Sequence, residues 1–330
     1  MASNSTYARA KAKRDDECYT RREDIEAELG HYADQFEGKR VYCNCDDPEW
    51  SEFWQFFKRQ FKPWGLKSLT ATHFEPDAAN FAYRLDMSVD TNGDGVIDVH
   101  DEPVVTQIEC NGDFRNQICI DMLDEADIVC TNPPFSLFRE YITQLIEHDK
   151  RFLIIGPNNG VKYRETFPFF KDEKVWLGYT RPKKFRVPDG TTGGNVVVED
   201  GVTYKKFGNV YWFTNLDVPE RHVPLDLRGV YYDEDKYPHY NNFDGIDVAH
   251  VGDIPCDYFG NIGVPISYME HHCPSQFEIV GLGEGNLAKE MGTTKCIDRR
   301  AGSKLEVLRP DGTPKYPAAR IVIRRKDQPS

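Results

Sequence analysis

The chain has 330 residues, of which 39% are apolar and 13% aromatic, and a formal net charge of −13; this suits one large or two modest globular domains and excludes a disordered chain. No run approaches the ~20 apolar residues of a membrane span, and the polar N-terminus does not read as a signal peptide. The nine cysteines are odd in number and several lie in apolar runs, so they read as reduced thiols of a cytoplasmic protein.

In chain order, residues up to about Ala12 read as a loose leader and Glu23 to Ala33 as a helix. Val41-Tyr42-Cys43 is a short strand entering a tight loop, Cys43-Asn44-Cys45-Asp46-Asp47-Pro48. Aromatics at 50, 53, 54, 56, 57 and 61 mark Trp50 to Phe61 as an amphipathic helix packed on a sheet. Leu69 to Phe74 is a second strand, ending in Glu75-Pro76, and Phe81–Val89 and Val104–Cys110 are extended around a turn-rich acidic loop. Asn116–Leu123 is helical, and Phe152-Leu153-Ile154-Ile155 is a buried strand. Val175-Trp176-Leu177 and Val210-Tyr211-Trp212-Phe213 form a late pair around a basic, Gly-rich segment, 180–208. Strands alternating with helices predict an α/β fold with a mostly parallel, doubly wound sheet. After about Asp217 the alternation fades into Tyr-, Asp- and Pro-rich sequence. Residues 1–217 are therefore expected to form the main domain and 218–330 a smaller second region.

The most informative stretch is Asn132-Pro133-Pro134-Phe135. The apolar run Ala126 to Thr131 enters it, and Ser136 to Ile146 leaves it with apolar residues at helical spacing. It therefore sits at the carboxyl end of a buried strand, where open α/β sheets place their ligands. Two prolines remove two backbone donors and stiffen the turn, leaving carbonyl oxygens and the Asn132 amide to face a ligand. An exocyclic amine on a base is a poor nucleophile, because its lone pair is delocalised into the ring. The Asn132 side-chain oxygen and the Pro133 carbonyl are placed to accept both amine hydrogens, and Phe135 to stack on the base plane. The bland alternative is a stiff strand-to-helix loop with a buried phenylalanine.

The net charge argues against a nucleic-acid enzyme until it is divided. Val41–Lys150 carries 8 basic and 21 acidic residues, which accounts for the whole excess, whereas Arg151–Val210 carries 11 basic against 6 acidic and Lys289–Ser330 11 against 5. Arg181, Lys183, Lys184 and Arg186 in the first basic stretch are the candidate phosphate contacts. Arg299, Arg300, Arg324, Arg325 and Lys326 form a second cluster, and solvated faces are the alternative for either.

Methylating an amine requires a methyl donor, and S-adenosylmethionine on such folds usually meets a Gly-rich loop after the first strand. Here that loop has no glycine; Asp46 or Asp47 would bind the donor's amino group, and Glu75 the ribose hydroxyls. Asp113 would accept from the adenine amine, with Phe114 against its ring. A rival cofactor loop is Gly281-Leu282-Gly283-Glu284-Gly285, which would require a permuted order.

As a whole the sequence resembles the EcoRI-type adenine-specific DNA methyltransferases, from about Asp15 to Leu282. The resemblance rests on Asp16-Glu17-Cys18-Tyr19-Thr20, the Val41 to Pro48 segment, Gly112-Asp113-Phe114-Arg115 and Asn132 to Tyr141. It continues through Phe152 to Gly156, Phe207-Gly208-Asn209, Trp212 to Asp217 and Gly263-Val264-Pro265-Ile266. It implies a fold of the S-adenosylmethionine-dependent methyltransferase type, a donor site that includes Tyr19, Thr20, Cys43 and Asn44, and a C-terminal target-recognition region. It also implies an N6-methyladenine product in double-stranded DNA, with the target base rotated out of the helix, and a cognate restriction endonuclease as a system partner. The setting would be bacterial or phage, in the cytoplasm. The same site acting on RNA or a protein glutamine, or a catalytically idle DNA-binding scaffold, are the alternatives.

Asp90 to Asp101 fits the ligand spacing of a calcium loop, but its flanks read as strands and position 12 is Asp rather than Glu, so an acidic hairpin loop is the competing reading. Cys43 and Cys45, and His271-His272-Cys273, lack a second pair at zinc spacing, and no metal is expected. Neither a Gly-x-Ser-x-Gly elbow nor a P-loop occurs.

Overall fold

Val41-Tyr42-Cys43 and Ile128-Val129-Cys130 are buried at every residue. Such runs suit only strands covered on both faces, and both lie at the centre of an eight-stranded sheet. The computed structural model describes residues 18–45, 48–49, 51–75, 81–208, 210–231 and 236–326. The leader before Ala12, Asp16, Glu17, Asp46, Asp47, Trp50, Pro76 and Asn209 lie outside the described residues.

The chain divides into two compact units. One comprises residues up to Gly160 with Leu177–Asp217, the other Val161–Trp176 with Val218 onward. The strands of the first are β1 (Tyr19–Thr20), β2 (Arg40–Cys43), β3 (Ser68–Thr72), β4 (Tyr83–Met87), β5 (Val104–Gln107), β6 (Ile128–Thr131), β7 (Arg151–Pro157), β8 (Trp176–Leu177), β9 (Lys184–Arg186), β10 (Val196–Glu199), β11 (Val202–Lys206) and β12 (Val210–Thr214). Its main sheet has the order β5-β4-β3-β2-β6-β7-β12-β8. The central four, β3-β2-β6-β7, are parallel, whereas β4 and β5 on one side and β12 on the other pair antiparallel. The expected mostly parallel sheet is thus corrected to a mixed one. Parallel neighbours need a crossover, usually helical, and among the described residues no α-helix separates β3 from β4 or β4 from β5.

Helices α1 (Arg22–Leu29), α2 (Glu52–Gln60), α3 (Gln117–Glu125) and α4 (Phe138–Glu147) accompany these strands. The Ser51 side chain starts α2 by accepting from Phe53 N, and Phe53, Trp54, Phe56 and Phe57 bury its inner face, at about 2 kcal/mol per fully buried ring. Asn116 starts α3 in the same way, accepting from Ile118 N. In α1, Glu28 is fully buried, and its carboxylate accepts from Tyr179 N, Thr180 N, Thr180 Oγ1 and Tyr32 Oη. Gly178 permits this approach, since a Cβ there would stand 2.0 Å from Glu28 Oε1. The basic, Gly-rich segment is itself ordered as strands: β9, β10 and β11 join β1 in a small antiparallel sheet, β1-β9-β11-β10.

The second unit has β13 (Ile246–Asp247), β14 (Ile262–Pro265), β15 (Phe277–Leu282), β16 (Val307–Leu308), β17 (Pro314–Lys315) and β18 (Arg320–Arg325), with short helices α5 (Phe167–Lys171) and α6 (Gly285–Glu290). Its larger sheet has the order β13-β14-β18-β15, with β18 antiparallel to both neighbours. Among the described residues no helix is long and apolar enough to cross a membrane.

Candidate active site

The chain leaves β2 for β3 on one side and later returns to place β6 and β7 on the other. The carboxyl ends of β2 and β6 therefore flank a topological switch point, where the diverging connections open a crevice. Cys45 N donates to Thr131 Oγ1 at 3.1 Å, tying together the two segments that leave these strands. Asn132 follows directly from β6.

Asn132 is only 9% exposed. Its Nδ2 donates to the main-chain carbonyl of Cys18 at 2.5 Å. Pro134 O accepts from Leu137 N at 2.9 Å, so that carbonyl closes the turn into a short 3-10 segment, Phe135–Leu137, ahead of α4. Half-buried Phe135 meets Phe185 of β9 edge-on at 6.5 Å and Phe207 at 6.2 Å, and those two rings meet at 5.3 Å. The turn is thus bordered by an aromatic cluster supplied by the small sheet and the residue after it.

On the other side of the crevice, Cys43 and Asn44 are buried. Asn44 Oδ1 accepts from the Tyr141 hydroxyl of α4, and Asn44 O from Thr72 Oγ1 at 3.5 Å. Tyr141 meets Phe114, itself buried, edge-on at 4.9 Å. Glu75 N donates to Asn111 O at 2.9 Å, bringing the segment after β3 against the 111–114 loop. Gly112 makes that contact possible: its φ is +79°, and a Cβ would stand 2.0 Å from the His73 carbonyl oxygen. The Asp113 carboxylate takes Arg115 Nη2 at 2.6 Å and Nε at 2.9 Å, and these bonds hold its pKa below the ordinary range. Strand alternation sends Thr20, opposite Phe185, to a buried face, and Tyr19, opposite Arg186, to the other. Tyr19 and Thr20 therefore do not share one surface. Among the described residues, Thr20 Oγ1 and Asn44 Nδ2 are buried polar atoms with no protein hydrogen-bond partner.

Arg181, Lys183 and Arg186 are exposed, and the Arg181 guanidinium lies 4.7 Å from the Tyr211 ring centre. Lys184 is drawn to the Glu199 carboxylate and lies 4.7 Å from the Tyr204 ring centre. Register brings in residues the sequence reading did not single out. Lys206 lies opposite Lys184 and Tyr204 opposite Arg186, so both share the face that carries these cations. The alternation Lys184-Phe185-Arg186-Val187, with only its apolar members fully buried, was the signal for this strand. Cys18 gave no such signal.

In the second unit Arg300, Arg324, Arg325 and Lys326 of the basic cluster are engaged internally. Arg320 pairs with Asp247 at 2.8 Å, Arg324 with Glu278 at 2.6 Å, Lys326 with Glu173 at 3.6 Å and Arg300 with Asp298 at 3.2 Å. Arg325 lies 4.6 Å from the Phe259 ring centre. The glycines of the rival cofactor loop serve packing: a Cβ on Gly283 would stand 2.4 Å from Leu305 Cδ1, and one on Gly281 2.8 Å from Met291 Sδ. In the 90–101 loop, Asp90 accepts from Gly93 N and Gly95 N, and Asp101 from Thr91 N, Asn92 N and Asp98 N. Among the described residues no group of three or more His, Cys, Asp or Glu is arranged to hold a metal ion.

A mixed sheet flanked by helices, with Asn-Pro-Pro-Phe at its switch point, places the chain in the class of α/β methyltransferases. The family model described as adenine-specific methyltransferase EcoRI matches residues 6–326, and the chain belongs to that family of enzymes. It is 39% identical over 318 residues to the Type II methyltransferase M.EcoRI of Escherichia coli, covering 89% of this chain and 94% of that protein. It is 38% identical over 283 residues to the Type II methyltransferase M.MpnI of Mycoplasma pneumoniae, covering 83% and 84%. No solved structure matches. Methyltransferases in general take their methyl group from S-adenosylmethionine.

Proposed function

We propose that the chain is a sequence-specific DNA adenine-N6 methyltransferase that rotates its target adenine out of the duplex and methylates the exocyclic amine. The observation that carries this reading is the buried Asn132 carboxamide at the β2/β6 switch point, beside half-buried Phe135. Asn132 Oδ1 and the Pro133 carbonyl accept the two amine hydrogens, localising the nitrogen lone pair, and Phe135 stacks on the base. Positioning supplies most of the rate, and the fixed carbonyl dipoles stabilise positive charge building on the amine. S-adenosylmethionine, when bound, supplies a methyl group already activated for transfer.

Two features support that donor. Thr20 Oγ1 and Asn44 Nδ2 are orphaned polar atoms that a polar ligand would satisfy, and the Glu75 carboxylate stands at the end of β3 to take ribose hydroxyls. Asp46, Asp47, Cys43, Asp113 and Phe114 complete the proposed donor set, to which Tyr19, facing away from Thr20, would contribute through its main chain. Arg181, Lys183 and Arg186 are the proposed phosphate contacts, with Lys184 contributing less because Glu199 holds it. Residues 218–330 are the proposed target-recognition region, and a restriction endonuclease the proposed system partner.

Competition tests the substrate class. Methyl transfer to labelled duplex DNA should fall when unlabelled duplex is added and stay unchanged with RNA or a glutamine-bearing peptide. Competition by either of the latter would reassign the substrate.

A further inference from the structure

We infer that the main-chain carbonyl of Cys18 is a positioning group for methyl transfer, holding the Asn132 carboxamide so that its oxygen, not its nitrogen, meets the substrate amine. Resting on the role proposed for Asn132, this identifies what enforces that role. A carboxamide has a donor end and an acceptor end of nearly the same size, and a flip exchanges them. Only one orientation serves the reaction, since an amine with two hydrogens to donate needs Oδ1 in front of it. Nothing in the tetrapeptide's own sequence selects that orientation.

Cys18 O selects it. The carbonyl can only accept, so the end of the amide 2.5 Å away must be Nδ2. The flipped amide would set two acceptor oxygens against each other in a site only 9% exposed, where water cannot relieve the repulsion. Oδ1 is thereby directed away from Cys18. The carbonyl is held in turn by its position next to β1, where Tyr19 pairs with Arg186 and Thr20 with Phe185. The Phe185 ring borders Phe135 at 6.5 Å. A single short strand pairing thus fixes the amide's orientation and belongs to the sheet that walls the Phe135 side of the turn. Asparagine suits this arrangement better than aspartate, whose ionised carboxylate would face Cys18 O with like charge.

The test replaces Tyr19 by its α-hydroxy analogue, which turns the Cys18–Tyr19 peptide bond into an ester whose carbonyl is a weaker acceptor. In the otherwise unaltered protein, kcat should fall about tenfold, the worth of one weakened hydrogen bond, with donor Kd and the KM for DNA within about twofold. In an Asn132→Asp background the same ester should leave kcat unchanged or raise it, because it now weakens a repulsion. Equal losses in both backgrounds would mean that β1 merely supports the fold, and would overturn the inference. So would a loss confined to donor Kd. Full turnover by Asn132→Ala would instead remove the proposed role of Asn132 itself. Should the ester protein not fold, hydrogen exchange of the Asn132 side-chain amide in the unmodified protein decides. Protection of about a hundredfold relative to an exposed asparagine is expected, and free exchange overturns the inference.

Discussion

Both units bury ionisable groups, and burial moves two of them, Glu28 and His272, in opposite directions. In the first, desolvation raises the Glu28 carboxyl above its ordinary 4.5, against the pull of four hydrogen bonds. In the second, desolvation pushes the His272 imidazole down to about 3, helped by Arg221 and Lys326. The units also differ in where their polar groups lead. In the first, parallel strands deliver Asn132, Asn44 and Glu75 to one sheet end. In the second, Arg320 and Arg324 of β18 and the following Lys326 form ion pairs with carboxylates of the same unit.

The sharpest way to break this contrast is substitution at each end of it. Asn132→Ala should lower methyl transfer by about 10³-fold or more while sparing donor binding, whereas Arg324→Gln, which opens one ion pair of the second unit, should leave kcat unchanged. Near-normal turnover by the first variant would remove the assignment.

Acid should separate the units next. His272 is neutral in the fold, with a pKa of about 3 against 6.5 when unfolded. The unfolded chain thus binds the proton first, and stability present above pH 6.5 is lost as pH falls towards 3. The slope is about 1.4 kcal/mol per unit. Glu28 has the opposite sign: its raised pKa favours the protonated fold, so its contribution is best below 4.5 and declines as pH rises through the folded pKa. Hydrogen exchange between pH 7 and 4 should show the second unit weakening ahead of the first, and His272→Gln should flatten that slope. Simultaneous weakening of both units in the parent protein would contradict it.

A smaller effect is expected at Gly112. An alanine there meets both a positive φ and the His73 carbonyl at 2.0 Å, which should cost about 2–3 kcal/mol and weaken donor binding more than DNA binding. Equal affinity for both ligands would show that the 111–114 loop does not shape the donor side. The smallest concerns the cationic sheet face. Lys183→Gln should lower the slope of log K for DNA against log salt by about 0.9, whereas Lys184→Gln should change it less because Glu199 already holds that cation. Identical slopes for the two variants would argue against the distinction.

The strand–turn–helix around Asn132 was legible in sequence because each part has its own period: a buried run, two prolines, then helical spacing. The same holds for α2, whose aromatics declare its inner face. The antiparallel flanks were not legible, since an isolated apolar run states burial but not direction. Glu28 reads locally as a surface acid of a short helix; the four donors that accommodate it lie at Tyr32, Tyr179 and Thr180. Cys18 was named only through family resemblance, and its hold on Asn132 spans 114 positions along the chain, a distance over which periodicity carries no information.

The central claim is the chemistry at Asn132, and methyl transfer from labelled S-adenosylmethionine to unmethylated bacterial DNA, followed by mapping of modified bases, tests it most directly. N6-methyladenine confined to one short motif, and absent with Asn132→Ala, is the predicted result. Label on cytosine, on RNA or on protein, or adenine label that persists in the Asn132 variant, would contradict it.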